Sequence, residues 1–290
     1  MIHTIGNNCL TVCVAEHGAE LQSIRDSMGR EYLWQGDPAY WKDRAINLFP
    51  YVARLTQGQY RMDGETYAMD IHGLAPYREF QVTEKTAERL VLQLESSEET
   101  KVHYPRDFAF RVIYALKARV LEITFEVENR DRRTLYFGLG GHPGFRVPLE
   151  EGRRFTDYAL RFSSSCAPKR VGFTPQCFLS GQDEPFPLED GVRIPLRHEM
   201  FDDDAIVLKD MAREVTLEAD GGCGVRVSFP QMPYLGIWHM PHTDAPYVCI
   251  EPWCSLPSRQ DEIAEFETQP DLLRSEAGET YRNTWTIEVL

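Results

Sequence analysis

In the run Leu121-Glu122-Ile123-Thr124-Phe125-Glu126-Val127-Glu128 every odd position is apolar and every even one polar. Successive side chains of a strand point to opposite faces, so this octet predicts an antiparallel strand with one greasy face and one wet face. Runs of similar character recur at Leu10 to Ala15, Glu20 to Ile24, Gln59 to Met62, Tyr67 to Asp70, Phe80 to Thr83, Leu90 to Glu95 and Phe108 to Leu116. They continue at Tyr158 to Phe162, Val215 to Ala219, Val225 to Phe229, Leu235 to Met240, Tyr247 to Ile250 and Thr284 to Val289. Turn-forming pairs such as Asp63-Gly64 and Gly221-Gly222 fall between them. No amphipathic helix longer than about three turns interrupts the series. Many short strands without helical crossovers predict an all-β protein, an antiparallel sandwich or barrel.

The chain has 290 residues, a length at which all-β domains remain single units, so one domain over 1–290 is expected. The Pro-, Gly-, Asp- and Glu-rich stretch from Phe173 to Pro195 reads as a long connection across one end of the sandwich. The formal net charge of −14 is spread along the chain and repels polyanions, which argues against nucleic acid as a partner. No apolar stretch approaches the roughly 20 residues that span a bilayer, so no membrane partner is expected. The first eight residues lack a basic region followed by an apolar one, and a cytoplasmic location is expected. Seven scattered cysteines suit small buried thiols in a reducing compartment better than a disulfide framework. Edge strands leave both monomer and homodimer open.

Nucleophile-elbow, P-loop and dinucleotide-binding glycine motifs are absent. Glu251 lies in the apolar run Tyr247-Val248-Cys249-Ile250-Glu251-Pro252-Trp253, where the strand is expected to stop against the proline and aim a carboxylate beyond its end. A general base would sit there. His72 precedes Gly73 at the end of a strand, and His142 stands in the glycine-rich Gly140-Gly141-His142-Pro143-Gly144, expected to be an accessible loop. Either imidazole could serve a site or cap a turn. Arg54 lies in a largely apolar segment, where a guanidinium needs a carboxylate or a hydroxyl-rich ligand; an ion pair with Glu251 is one solution. Asp202-Asp203-Asp204 reads as a solvated turn, with one acid available to bind hydroxyls; its oxygen ligands would suit calcium, but their spacing is not that of a calcium loop. Trp238 could stack on a sugar or fill core. The pairs His239/His242 and Cys249/Cys254 match no standard zinc spacing, so no metal is expected. Together these residues point to acid/base chemistry on a polyhydroxylated small molecule.

The ordered segments Asn47 to Leu55, Ile71 to Gly73, Leu139 to Phe145, Phe201 to Val207, Pro233 to Trp238 and Tyr247 to Trp253 resemble the aldose 1-epimerase (galactose mutarotase) family, particularly its LacX-like bacterial branch. The resemblance implies an antiparallel β-supersandwich of the galactose mutarotase type and a cofactor-free interconversion of the α and β anomers of an aldose. It implies Glu251 as general base, His142 as general acid, and His72, Arg54 and Asp204 as substrate-binding residues. Ring opening requires removal of the C1 hydroxyl proton while another proton reaches the ring oxygen, which a carboxylate and an imidazolium flanking the anomeric centre can perform. Arg54 beside Glu251 would keep that carboxylate ionised. The competing readings are a glycosidase or lyase using Glu251 and Asp204 as a carboxylate pair, and a non-catalytic sugar-binding protein of the same fold. A phosphorylated sugar would call for a cluster of arginines around the cleft, for which Arg44 and Arg78 are candidates.

Overall fold

The computed structural model describes residues 1–290. The alternating octet lies in the strand Val120–Asn129, which pairs antiparallel with Phe108–Lys117 on one side and Thr280–Val289 on the other. These three belong to a nine-stranded antiparallel sheet running from Arg193–Pro195 at one edge to Gln81–Lys85 at the other. Leu121, Ile123, Phe125 and Val127 are fully buried, as the period-two pattern requires. Glu126 breaks the pattern by being buried on the polar face. Its two oxygens accept from Arg111 Nη1 at 2.6 Å and Arg282 Nε at 2.7 Å on the flanking strands, so the charge is paired.

A second sheet of seven antiparallel strands carries the site. Its order is Glu184–Pro185, Lys169–Arg170, Ile206–Lys209, Tyr234–Trp238, Tyr247–Trp253, Gly140–Arg146 and Ala45–Leu48. One face supplies Ile206, Leu208, Leu235, Ile237, Val248 and Ile250 to a core cluster of 64 residues, to which the nine-stranded sheet gives Leu121, Ile123 and Phe125. The opposite face carries Ile46, Val207, Trp238, Cys249 and Trp253 in separate aromatic-rich clusters. Both faces of this sheet are covered.

Covering both faces erases the period-two signal. Ala45–Leu48 and Gly140–Arg146 have no polar alternation because nearly every residue in them is buried, and the sequence reading found neither strand. His142 was expected in an accessible loop and instead sits inside a strand, 8% exposed. The strand around Glu251 also runs further than expected, through Pro252 to Trp253. Glu251 therefore projects sideways from a sheet face and not past a strand end. The tract expected to span Tyr67 to Asp70 is instead Glu65–Ala68, two residues earlier. Helix is confined to one four-residue α-helix, Glu98–Lys101, and four short 3-10 turns.

The short edge strand Ala45–Leu48 is tied down by side chains. Glu20 Oε1 accepts the backbone N–H of Arg44 at 2.6 Å and of Ala45 at 3.0 Å, and Asn47 Nδ2 donates to the carbonyls of Gly18 and Ala19. No helix is long and apolar enough to cross a membrane.

Candidate active site

Strand geometry dictates what faces the second sheet's outer side. Along Tyr247–Trp253, residues 249, 251 and 253 share one face, while 248 and 250 enter the core. Along Gly140–Arg146, His142 shares its face with Gly140 and Gly144, which register opposite Trp253 and Cys249. A Cβ on Gly140 would lie 2.8 Å from the Trp253 ring, and one on Gly144 3.1 Å from the Trp41 ring. The glycines thus let tryptophans close in on both sides of the imidazole. Gly236 does the same across from Glu251, where a Cβ would meet the glutamate Cβ at 3.2 Å.

The result is a cleft of about 430 Å³ whose lining includes Arg54, His72, His142, Asp204, Trp238 and Glu251. All six sequence-derived candidates share this one space. His142 Nε2 and Glu251 Oε2 are 3.2 Å apart but misaligned for a hydrogen bond, and both Glu251 oxygens and His142 Nδ1 are buried without a hydrogen-bond partner. Burial, reinforced by the negative charge of Asp204, pushes the Glu251 carboxyl well above the usual carboxylate range. The Trp253 indole N–H pulls the other way. Burial pulls His142 down to about 4. One proton held between the two groups is the state both shifts favour at neutral pH.

Arg54 does not keep Glu251 ionised, contrary to expectation: it forms no ion pair, is exposed at the cleft wall, and contributes nothing to the upward shift of the carboxyl. Its charge falls instead on His72, which burial, His142 and Arg54 together hold well below the ordinary imidazole range. His72 is in a turn, with φ at +67°, and its Nδ1 accepts the Ala53 backbone N–H at 3.2 Å. The ring proton of neutral His72 is therefore on Nε2, free to donate. Its ring stands edge-on to His142, with centroids 5.5 Å apart. Gly73 makes the turn possible: at φ +85° a Cβ would sit 2.4 Å from the Phe49 carbonyl oxygen.

The three acids of Asp202–Asp204 do not converge. Asp202 accepts from the His242 backbone N–H, whereas Asp203 and Asp204 line the cleft. Asp204, at φ +72°, is pinned through Oδ1 by the Ala205 N–H at 2.9 Å and through Oδ2 by the Cys177 thiol at 2.9 Å. The zinc pairings dissolve as well. His239 is buried against His198, His242 is exposed, and Cys254 belongs to the core while Cys249 is on the cleft side.

The sequence reading missed Trp41. Its ring lies 4.8 Å from His142 and meets Trp238 edge-on at 5.8 Å, while Trp238 meets His142 at 5.8 Å. Trp41 sits in a loop with no periodicity, so no pattern marks it. Cys177 and Trp253 also line the cleft. Arg44 and Arg78 do not: the first donates to the Gln22 carbonyl and the second pairs with Glu99.

Chemically, the cleft offers tryptophan faces for the apolar side of a sugar ring, neutral and charged hydrogen-bond groups for its hydroxyls, and a buried acid/base pair.

Comparisons with known proteins identify the family and the fold. A model of the aldose 1-epimerase family matches residues 1–288. The chromosomal protein LacX of Lactococcus lactis subsp. lactis is 32% identical over 295 residues, covering 98% of this chain and 98% of that protein. A galactose mutarotase related enzyme from Lactobacillus acidophilus superimposes with a TM-score of 0.95 at 32% identity, over 100% of this chain and 97% of its own. A galactose mutarotase-like protein from Lactobacillus casei gives a TM-score of 0.93 at 30% identity, over 100% of both chains. The all-β, antiparallel supersandwich of the mutarotase type is thus the fold of this chain.

Proposed function

This chain belongs to the aldose 1-epimerase family, and from that premise we propose that it is a cofactor-independent aldose 1-epimerase acting on an uncharged aldose. The observation that carries the reading is the buried Glu251–His142 pair, 3.2 Å apart at the floor of a tryptophan-walled cleft. In the proposed mechanism Glu251, as carboxylate, takes the proton of the C1 hydroxyl. The C1–O5 bond breaks, and the His142 imidazolium gives its proton to O5. The C1–C2 bond of the open aldehyde rotates, and reclosure runs both transfers backwards, so the pair holds one proton throughout and returns to carboxylate and imidazolium. Each positioned group contributes about 10²–10⁴-fold.

Substrate hydroxyls supply the partners that the buried carboxylate and imidazole otherwise lack, which favours the charged state of the pair once sugar is bound. His72 Nε2–H, Arg54 and Asp204 bind hydroxyls, and Trp41 and Trp238 cover the ring faces. Arg54 is the one guanidinium on the cleft wall, whose lining also carries Asp43, Asp203 and Asp204. That balance disfavours a sugar phosphate. A hydrolytic carboxylate pair is the weaker reading, because the group 3.2 Å from Glu251 is an imidazole.

The test is polarimetry of freshly dissolved α-D-galactose, α-D-glucose and a wider panel of aldoses. Acceleration of mutarotation is the expected result; no acceleration on any aldose, with sugar binding retained, would leave a binding protein.

A further inference from the structure

Proton transfer uses only two of the three donors that meet at the cleft floor. Period two sets Cys249 on the same strand face as Glu251, and the register sets it opposite Gly144, two residues from His142. A thiol sulfur, an imidazole nitrogen and a carboxylate oxygen thereby come within 4.8 Å of one another, all from buried residues. The absence of a side chain at Gly144 leaves the thiol its place, since a Cβ there would touch Cys249 Sγ at 3.4 Å. Both Glu251 oxygens and His142 Nδ1 are unpartnered.

We propose that His142, Cys249 and Glu251 form a binding site for a zinc-class divalent cation, and that filling it reversibly blocks the sugar site. One thiolate, one imidazole and one carboxylate suit a borderline-soft tetrahedral ion and do not suit magnesium or calcium. Bonds of about 2.0–2.3 Å place tetrahedral donors roughly 3.3–3.8 Å apart, so side-chain rotations of about 1 Å close the set. His142 and Glu251 line the cleft, so the fourth position faces it, where water or a sugar hydroxyl fits. Asp43, Asp203 and Asp204 raise the local cation concentration. On binding, the Cys249 S–H proton and the single proton of the Glu251–His142 pair are both released to solvent as the three metal bonds form, and the ion occupies both groups that the sugar reaction needs.

The inhibition rests on the epimerase reading; the binding does not. The experiment is titration of the reduced protein with cadmium(II), read by the near-ultraviolet thiolate-to-cadmium absorption, with and without saturating aldose. Wild type is compared with Cys249→Ser, Cys177→Ser and His142→Ala. The expected result is one cadmium per chain in wild type and Cys177→Ser, with affinity at least about tenfold weaker in Cys249→Ser and in His142→Ala and weakened by sugar. Cys249→Ser should also keep mutarotation while losing its inhibition by zinc(II). Absorption undiminished in Cys249→Ser, absorption lost in Cys177→Ser, or no competition by an aldose whose mutarotation the protein accelerates would each overturn the proposal. A Cys249-dependent band in a protein without mutarotation would keep the site and remove the epimerase reading.

Discussion

Glu251 Oε2 lies 3.2 Å from His142 Nε2 across two adjacent strands, and neither oxygen of that carboxylate has a hydrogen-bond partner within the protein. A buried acid and base held this way share their titration, and the first prediction follows from it. With His142 lowered to about 4 and Glu251 raised, the pair is singly protonated between those two limits. Below about 4 a second proton binds and no base remains; above the raised Glu251 value the last proton leaves and no acid remains. The profile of kcat/KM against pH should be a broad plateau bounded on both sides. Asp204→Asn removes a charge that raises Glu251, so its alkaline limb should move to lower pH as overall activity falls. An alkaline limb unmoved by that substitution would separate Asp204 from the titration.

A second prediction concerns substrate charge. The Glu251–His142 pair with its single proton is net neutral, which leaves one guanidinium against three aspartates on the cleft wall, so a hexose 6-phosphate should show kcat/KM at least about tenfold below the free hexose. The deficit should shrink as salt is added. Parity between the two at low salt would contradict the uncharged-substrate reading.

Gly73 gives a stability prediction. Alanine there must adopt φ +85° and drive its Cβ to 2.4 Å from a backbone oxygen. The left-handed penalty of ~1–2 kcal/mol adds to an overpacking strain of ~1–3 kcal/mol, so Gly73→Ala should destabilise by about 2–5 kcal/mol. Urea unfolding measures it. Because Gly73 follows His72, the surviving folded fraction should also bind sugar more weakly.

Trp41 stands against His142 with ring centroids 4.8 Å apart and forms one wall of the cleft with Trp238. Trp41→Ala should lower kcat/KM about 5–30-fold, chiefly through KM, since it removes a stacking face and leaves the proton donors in place. A loss confined to kcat would instead mean that the ring acts through the His142 titration.

The parts of this molecule most legible in sequence are those where one sheet face meets solvent, although the apolar runs Leu235 to Met240 and Tyr247 to Ile250 of the covered sheet were also read as strands. Leu121 to Glu128 alternates because its even residues are outside, and the chain's nine-stranded sheet follows from such runs. Gly140–Arg146 gave no such signal, because both its faces are covered, and so His142 was misread as lying in a loop. The order of histidines, arginine, aspartate and glutamate along the chain was enough to select the candidates that line the cleft. Their electrostatics were not legible: only the fold reveals that Arg54 faces His72 and leaves Glu251 to be raised by burial and Asp204. Trp41 and the Cys177–Asp204 contact depend on loops brought together from distant parts of the chain, which no local pattern encodes.

The most direct test of the Glu251–His142 pair is anomeric exchange spectroscopy by NMR on an equilibrated aldose, comparing wild type with Glu251→Gln, His142→Ala and the double variant. Each single variant should slow exchange by about 10²–10⁴-fold, and the double variant should be scarcely slower than the worse single one, because the two groups act as a unit. Exchange at the wild-type rate in folded Glu251→Gln would contradict the account.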